Sequence, residues 1–215
     1  MRVYERMTPH PVVTTVDTPV AEAAQLISDN HFRRLPVMDK NGKLMGIITE
    51  KELQKAMPSQ ATSLSAHELN YILMKTTVGD ILPKRKLITI DADELLEEAA
   101  VLMRNHKIGA VPVTKNGELV GIITETNIFD AFIDIMGLKV PGYRITATVN
   151  GNPPGILGKI ATIIGQCGGN ISHVTVRVSD KDQSRMTLRV NREADIDKIV
   201  EELEKLNVSV IYETV

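Results

Sequence analysis

One cysteine among 215 residues excludes an intramolecular disulfide framework and any thiolate-held metal cluster within a single chain. The five histidines show no metal-ligand spacing. Neither sign of charge is in excess. A net charge of −2 and a pI near 6.2 provide no general basic field for nucleic acid or an anionic membrane surface. Long apolar runs are missing too, since no stretch approaches the ~18 uninterrupted apolar residues of a membrane span. Met1-Arg2-Val3-Tyr4-Glu5-Arg6 lacks the apolar run of a signal peptide, so a cytoplasmic address is expected. With 43% hydrophobic residues, the chain has enough apolar material for one large or two modest cores.

What the chain does have is an internal repeat. Gly46-Ile47-Ile48-Thr49-Glu50 recurs residue for residue as Gly121-Ile122-Ile123-Thr124-Glu125, 75 positions later. Leu35-Pro36-Val37 answers Val111-Pro112-Val113, Asn41-Gly42 answers Asn116-Gly117, and Val13-Thr14 answers Ile88-Thr89. Each copy reads as a short β-rich segment, an Ala-rich amphipathic helix (20–30 or 94–105), then two strands joined by an Asn-Gly hairpin. A second helix follows, over 50–57 or 124–136, with Thr49 or Thr124 at its start. The unit is β-α-β-β-α, too small to bury its own sheet, so two copies are expected to share a core. Between them, Ser65-Ala66-His67-Glu68 is an acceptable capping start for a helix bearing Leu69, Ile72 and Leu73.

This tandem pattern resembles a pair of CBS domains, the regulatory modules that bind adenine nucleotides. The resemblance implies two clefts between the repeats and a set of ligand positions. Thr49 and Thr124 match the phosphate-contacting hydroxyl. Glu52 and Asn127 stand where the family usually has a ribose-holding aspartate. Thr14 and Thr89 match the strand threonine at the edge of the nucleoside pocket, and Ile47 and Ile122 the apolar residue flanking the adenine. Arg34, with Arg33 second, is placed to reach ligand phosphates, where a guanidinium fork holds a phosphate bidentately. Gly109 and Ala110, in the second copy, lack such a group, so unequal clefts are expected.

Elementary chemistry agrees in part. A threonine at a helix N-terminus sets a hydroxyl beside free N–H groups and the positive end of the dipole. Gly46 and Gly121 would let the backbone approach a flat base. The competing reading is local: Thr49-Glu50-Lys51-Glu52 is also a capping box, in which Glu52 satisfies the Thr49 amide.

After the Gly/Pro break at 137–142 the pattern changes. An alternating strand over 143–149 leads through Asn152-Pro153-Pro154-Gly155 into a helix bearing Ile156, Ile160, Ile163, Ile164 and Cys167. Strands over 173–178 and 186–190, a helix from Ile196 to Leu206 and a strand over 208–212 complete a ferredoxin-like β-α-β-β-α-β order. Asn152-Pro153-Pro154-Gly155-Ile156-Leu157 and Gly168-Gly169-Asn170-Ile171 resemble an ACT domain, which often binds amino acids at a dimer interface. The positions carried over are Asn152, Gly155, Leu157, Asn170 and Ile171. Asn152 replaces the usual aspartate, and a purely dimerising role stands beside amino-acid binding.

The expected fold class is therefore α+β. The expected division is a CBS pair over 1–137 (repeat one 1–57, helical insertion 58–77, repeat two 78–137), a linker at 138–142 and an ACT domain over 143–215. This order resembles the acetoin-utilisation regulatory family. The resemblance implies a non-enzymatic homodimer that senses AMP, ADP, ATP or S-adenosylmethionine and acts on a partner protein the sequence does not name. An interaction scaffold with vestigial clefts is the alternative. No catalytic constellation stands out: Cys167 closes a helix, where the negative end of the dipole disfavours a thiolate, so pairing with His173 as a reactive thiol is not expected.

Overall fold

The computed structural model describes residues 1–57, 75–179 and 183–215; the helix expected at 65–73 lies outside them. The chain divides into two compact units, Met1–Ile128 and Phe129–Val215.

The first unit holds two sheets. In repeat one, β2 (Thr14–Thr15), β3 (Arg34–Met38) and β4 (Leu44–Thr49) make a three-stranded sheet in the order β2-β3-β4. Helices α1 (Val20–Asp29) and α2 (Glu50–Ala56) pack on it, burying Val20, Ala23 and Ile27 of α1 and Leu53 of α2 against Leu35, Val37 and Ile48. Repeat two has the same element order, with β5 (Ile90–Asp91), β6 (Ala110–Lys115), β7 (Glu118–Thr124), α4 (Leu96–His106) and α5 (Glu125–Ile135), of which 129–135 belong to the second unit. Its sheet has a fourth strand, because β1 (Thr8–Pro9) pairs antiparallel with β7, setting Thr8 opposite Ile122 and Pro9 opposite Gly121.

Two short turns bind the repeats together. A 3-10 turn at Val3–Glu5 docks on repeat two, through Val3 N–H to the Glu94 carbonyl at 3.0 Å. One repeat later, α3 (Val78–Ile81) docks on repeat one, through Val78 N–H to the Thr18 carbonyl at 2.8 Å. Val3 and Val78 are both fully buried. Each repeat therefore lends its opening turn to the other, and neither buries its full apolar surface alone.

The 75-residue register expected between Thr14 and Thr89 does not hold. Thr14 stands opposite Val37 and Ile90 opposite Val113, so the counterpart of Thr14 is Ile90. His31 and Lys107, both left-handed at φ 54° and 53°, show the same offset of one further residue. The extra residue lies in the hairpin: repeat one spends 39–43 between Met38 and Leu44, whereas repeat two turns tightly through Asn116 and Gly117 at φ 53° and 85°. Positive φ at both central residues suits the twist of a two-residue hairpin.

The second unit has the strand order β11-β8-β10-β9, formed by β8 (Tyr143–Asn150), β9 (Ile171–Ser179), β10 (Gln183–Val190) and β11 (Ser209–Thr214), with every neighbouring pair antiparallel. Helices α6 (Ile156–Gln166) and α7 (Ile196–Glu204) cover one face, packing Ile160, Ile164, Ile199 and Leu203 onto Ile145, Ala147, Met186 and Leu188. Cys167 is buried in this core, its backbone N–H donating to the Ile163 carbonyl at 3.0 Å.

Candidate functional site

Two cavities open between the repeats, related as the repeats are. The larger, about 460 Å³, is lined by Thr8, His10, Pro11 and Val12, by His31 to Arg34 and Pro36, and by Gly109, Ile122 and 124–126. The smaller, about 200 Å³, is lined by Met45 to Ile47 and Thr49, by Leu82, Pro83 and 85–88, and by Arg34 with 107–110. Each joins the residues before one repeat's Pro-Val strand to the helix-opening threonine of the other. Arg34 belongs to both.

The path of Arg34 depends on Gly109. A Cβ at 109 would lie 2.4 Å from Arg34 Nη2 and 2.7 Å from Glu125 Oε2. Glycine is thus required where the guanidinium crosses from repeat one onto repeat two, beside a carboxylate that withdraws part of its field. Gly109, expected only to lack a phosphate-holding group, leaves the space that the Arg34 guanidinium occupies. The second cavity is also not poor in charge, because Arg85, Lys86 and Lys107 line it with Arg34. These cations went unnoticed in the sequence, although Lys84-Arg85-Lys86 is a basic run just ahead of the repeat-two strand. In the first cavity the residues missed were Thr8, His10 and Phe32, together with Glu125.

Both threonines are N-caps. Thr49 N–H and its hydroxyl donate to Glu52 Oε2 at 2.8 and 2.7 Å, and Glu52 N–H donates back to Thr49 Oγ1 at 3.3 Å. Thr124 and Asn127 repeat this at 2.9, 2.7 and 3.3 Å. Glu52 Oε1 lies 3.4 Å from Arg85 Nη2, so both of its oxygens have protein partners. Glu52 closes a capping box and a surface ion pair. Glu52 and Asn127 line neither of these two cavities.

Arg33, Arg34, Ile122 and Thr124 therefore meet in the larger cavity, and Arg34, Gly46, Ile47 and Thr49 in the smaller. The remaining expected residues stand apart. Thr14 is 4% exposed with an unpartnered hydroxyl and lines neither cavity, and Thr89 is exposed. Gly121 is covered by the chain itself, since a Cβ there would meet Met7 Sδ at 2.3 Å and the Thr8 carbonyl at 3.0 Å. Gly46 is covered more lightly, with Leu82 Cδ1 at 3.2 Å from the equivalent point.

In the second unit, Gly155 takes φ 79° at the entrance to α6, a left-handed conformation that favours glycine. Strand register places Asn150 beside Gln183 and Ile171 beside Val190, at opposite ends of β10. Asn152, Gly155 and Leu157 thus follow one end of the sheet, while Asn170 and Ile171 sit at the other. A single chain does not bring these two groups together.

Residues 3–59 and 78–134, together more than half the chain, match the CBS domain model, and residues 147–211 match the AHAS small subunit-like ACT domain model. The chain belongs to the CBS-domain proteins. A CBS domain-containing protein of Dictyostelium discoideum is 33% identical over 122 residues, 56% of this chain and 83% of that one. Among solved structures, a Vibrio cholerae protein assigned to acetoin utilization (AcuB) is 27% identical with a TM-score of 0.53, covering 65% of this chain and 95% of its own. CBSX2, solved in complex with AMP, is 28% identical with a TM-score of 0.51, covering 62% and 97%. This CBS-domain chain carries an ACT-like domain after its CBS pair. Among the described residues no helix is long and apolar enough to cross a membrane, and no group of His, Cys, Asp and Glu is arranged to hold a metal ion.

Proposed function

We propose that this protein is a non-catalytic regulator that binds an adenine nucleotide between its CBS repeats, with Arg34 as the principal phosphate ligand. The observation that carries the reading is the position of Arg34, which lines both cavities over a glycine that leaves room for its guanidinium. A forked, permanently charged donor suits a phosphate better than a cap hydroxyl already engaged within its own helix. The AMP held by CBSX2 supports the ligand class.

Within this reading the larger cavity takes the nucleoside beside Ile122, and Thr49 or Thr124 exchanges its intrahelical acceptor for a phosphate oxygen. The ligand is AMP, ADP, ATP or S-adenosylmethionine, and the regulated process lies in acetoin or acetate metabolism, as likeness to the Vibrio protein suggests. Residues 138–142 act as the linker to the ACT domain. Competition against a fluorescent adenine nucleotide tests the site. Arg34→Ala is expected to lose at least ten-fold in affinity with an unchanged unfolding midpoint, and equal affinity in that variant defeats the assignment.

A homodimer through the ACT-like sheet belongs to the same proposal. Edge strand β9 leaves Val174, Val176 and Val178 45%, 49% and 52% exposed. An antiparallel partner strand on that edge would bring Asn170 of one copy toward Asn152 of the other, completing an amino-acid site that one chain leaves divided. Sedimentation of Val176→Lys measures this: a monomer is expected, and a persistent dimer rejects the edge.

A further inference from the structure

The face of the second unit's sheet opposite its helices is built from polar rows. Register places Arg144 opposite Arg189, and Arg189 opposite His173; the next row sets Thr146 opposite Thr187 and Thr187 opposite Thr175. A recess of about 320 Å³, lined entirely by residues of the unit Phe129–Val215, opens over these rows. Arg144, His173, Thr175, Thr187, Arg189 and Glu213 supply its polar wall.

Arg189 is the unusual member. It is 7% exposed, and its Nη1 is buried with no hydrogen-bond partner. A guanidinium cannot shed its charge, so burial without a partner is unfavourable unless an anion completes it. Glu213 lines the same recess but is paired with Arg144, its Oε2 3.3 Å from Arg144 Nη1. His173 Nδ1 is 3.0 Å from Ser172 Oγ. Met136 and Leu138 line the recess on either side of Gly137, at φ 65°, where a Cβ would meet the His173 imidazole at 2.5 Å.

We propose that this recess binds a small oxyanion, the phosphate or carboxylate group of a compact metabolite. Arg189 and Arg144 hold the charge and Thr175 and Thr187 offer hydroxyls to neighbouring oxygens. The site is independent of the CBS clefts and of the loops expected to hold an amino acid. Its volume lies near the lower end for small-molecule sites, which suits a ligand of few carbons.

The test is titration of the full chain with inorganic phosphate and, separately, with succinate, chloride holding ionic strength constant. Backbone amide shifts at Arg144, Thr175 and Thr187 give the readout, and the two arms separate phosphate from carboxylate recognition. Saturable shifts with either anion are expected, weakened about ten- to hundred-fold by Arg189→Gln and by Arg144→Gln. If Arg189→Gln fails to fold by circular dichroism, the half-buried Arg144→Gln and the neutral Thr187→Val decide, and the same loss of affinity is expected. Absence of saturation up to about 10 mM with both anions overturns the proposal. So does equal affinity in the folded variants, or a response confined to Thr49 and Thr124.

Discussion

Gly109→Ala separates binding from folding in one substitution. The new methyl would lie 2.4 Å from Arg34 Nη2, 2.7 Å from Glu125 Oε2 and 3.1 Å from Glu125 Cδ, and no other heavy atom is as near. All three atoms are at or near the far ends of flexible side chains, which can rotate away into the cavity they already line. The fold should therefore lose less than about 1 kcal/mol. The guanidinium, however, can no longer lie where it reaches both cavities. Losing one charge-assisted hydrogen bond is worth about 1.5–3 kcal/mol, or about ten- to hundred-fold in Kd. Urea unfolding and nucleotide titration on the same preparation provide the two readings. An unchanged Kd would show that Arg34 does not contact the ligand. A stability loss of about 3 kcal/mol or more would show that Gly109 serves packing instead.

Other substitutions test neighbouring parts of the account. Gly121→Ala drives a methyl against the Thr8 carbonyl at 3.0 Å as well as Met7 Sδ, so β1 should detach at a cost of about 1–3 kcal/mol in urea unfolding. Gly46→Ala meets only the Leu82 side chain, nearest at 3.2 Å, and should cost less than Gly121→Ala in the same assay. Glu125→Gln removes the carboxylate beside Arg34 and should tighten nucleotide binding about three- to five-fold at low salt, an effect that fades as salt rises. The Asp80 carboxyl is held below its ordinary 3.8, first by the Thr77 backbone N–H and then by the Thr77 hydroxyl. Its stabilisation is thus present above about pH 4 and is lost as pH falls through the lowered folded value, so Asp80→Asn should flatten the acid limb of a stability profile below about pH 4.

Much of this fold was legible because its signals are local. The Asn-Gly hairpins and the capping threonines each follow from a few adjacent residues, and β3 runs from Arg34 to Met38 as its sequence suggests. The exchanged opening turns were not legible, because Val3 and Val78 show no periodicity and their partners lie far along the chain. The repeat counterpart of Thr14 was misread for a related reason: a single extra hairpin residue makes the offset 76 before the hairpin and 75 after it, so Thr14 answers Ile90 rather than Thr89. At the clefts, side-chain type pointed to Arg34 and the threonines. Only three dimensions placed Arg85, Lys86 and Lys107 beside Arg34, and only they revealed Met7 and Leu82 covering the two glycines intended for a base.

The central claim is that the CBS clefts bind an adenine nucleotide through Arg34. Calorimetric titration of the purified full chain with AMP, ATP and S-adenosylmethionine, alongside Arg34→Ala, tests it most directly. Saturable heat from at least one ligand, lost in the variant, is the predicted result. No saturable heat from any of them, or equal heats in the variant, would contradict the claim and favour an interaction scaffold whose clefts are empty of function.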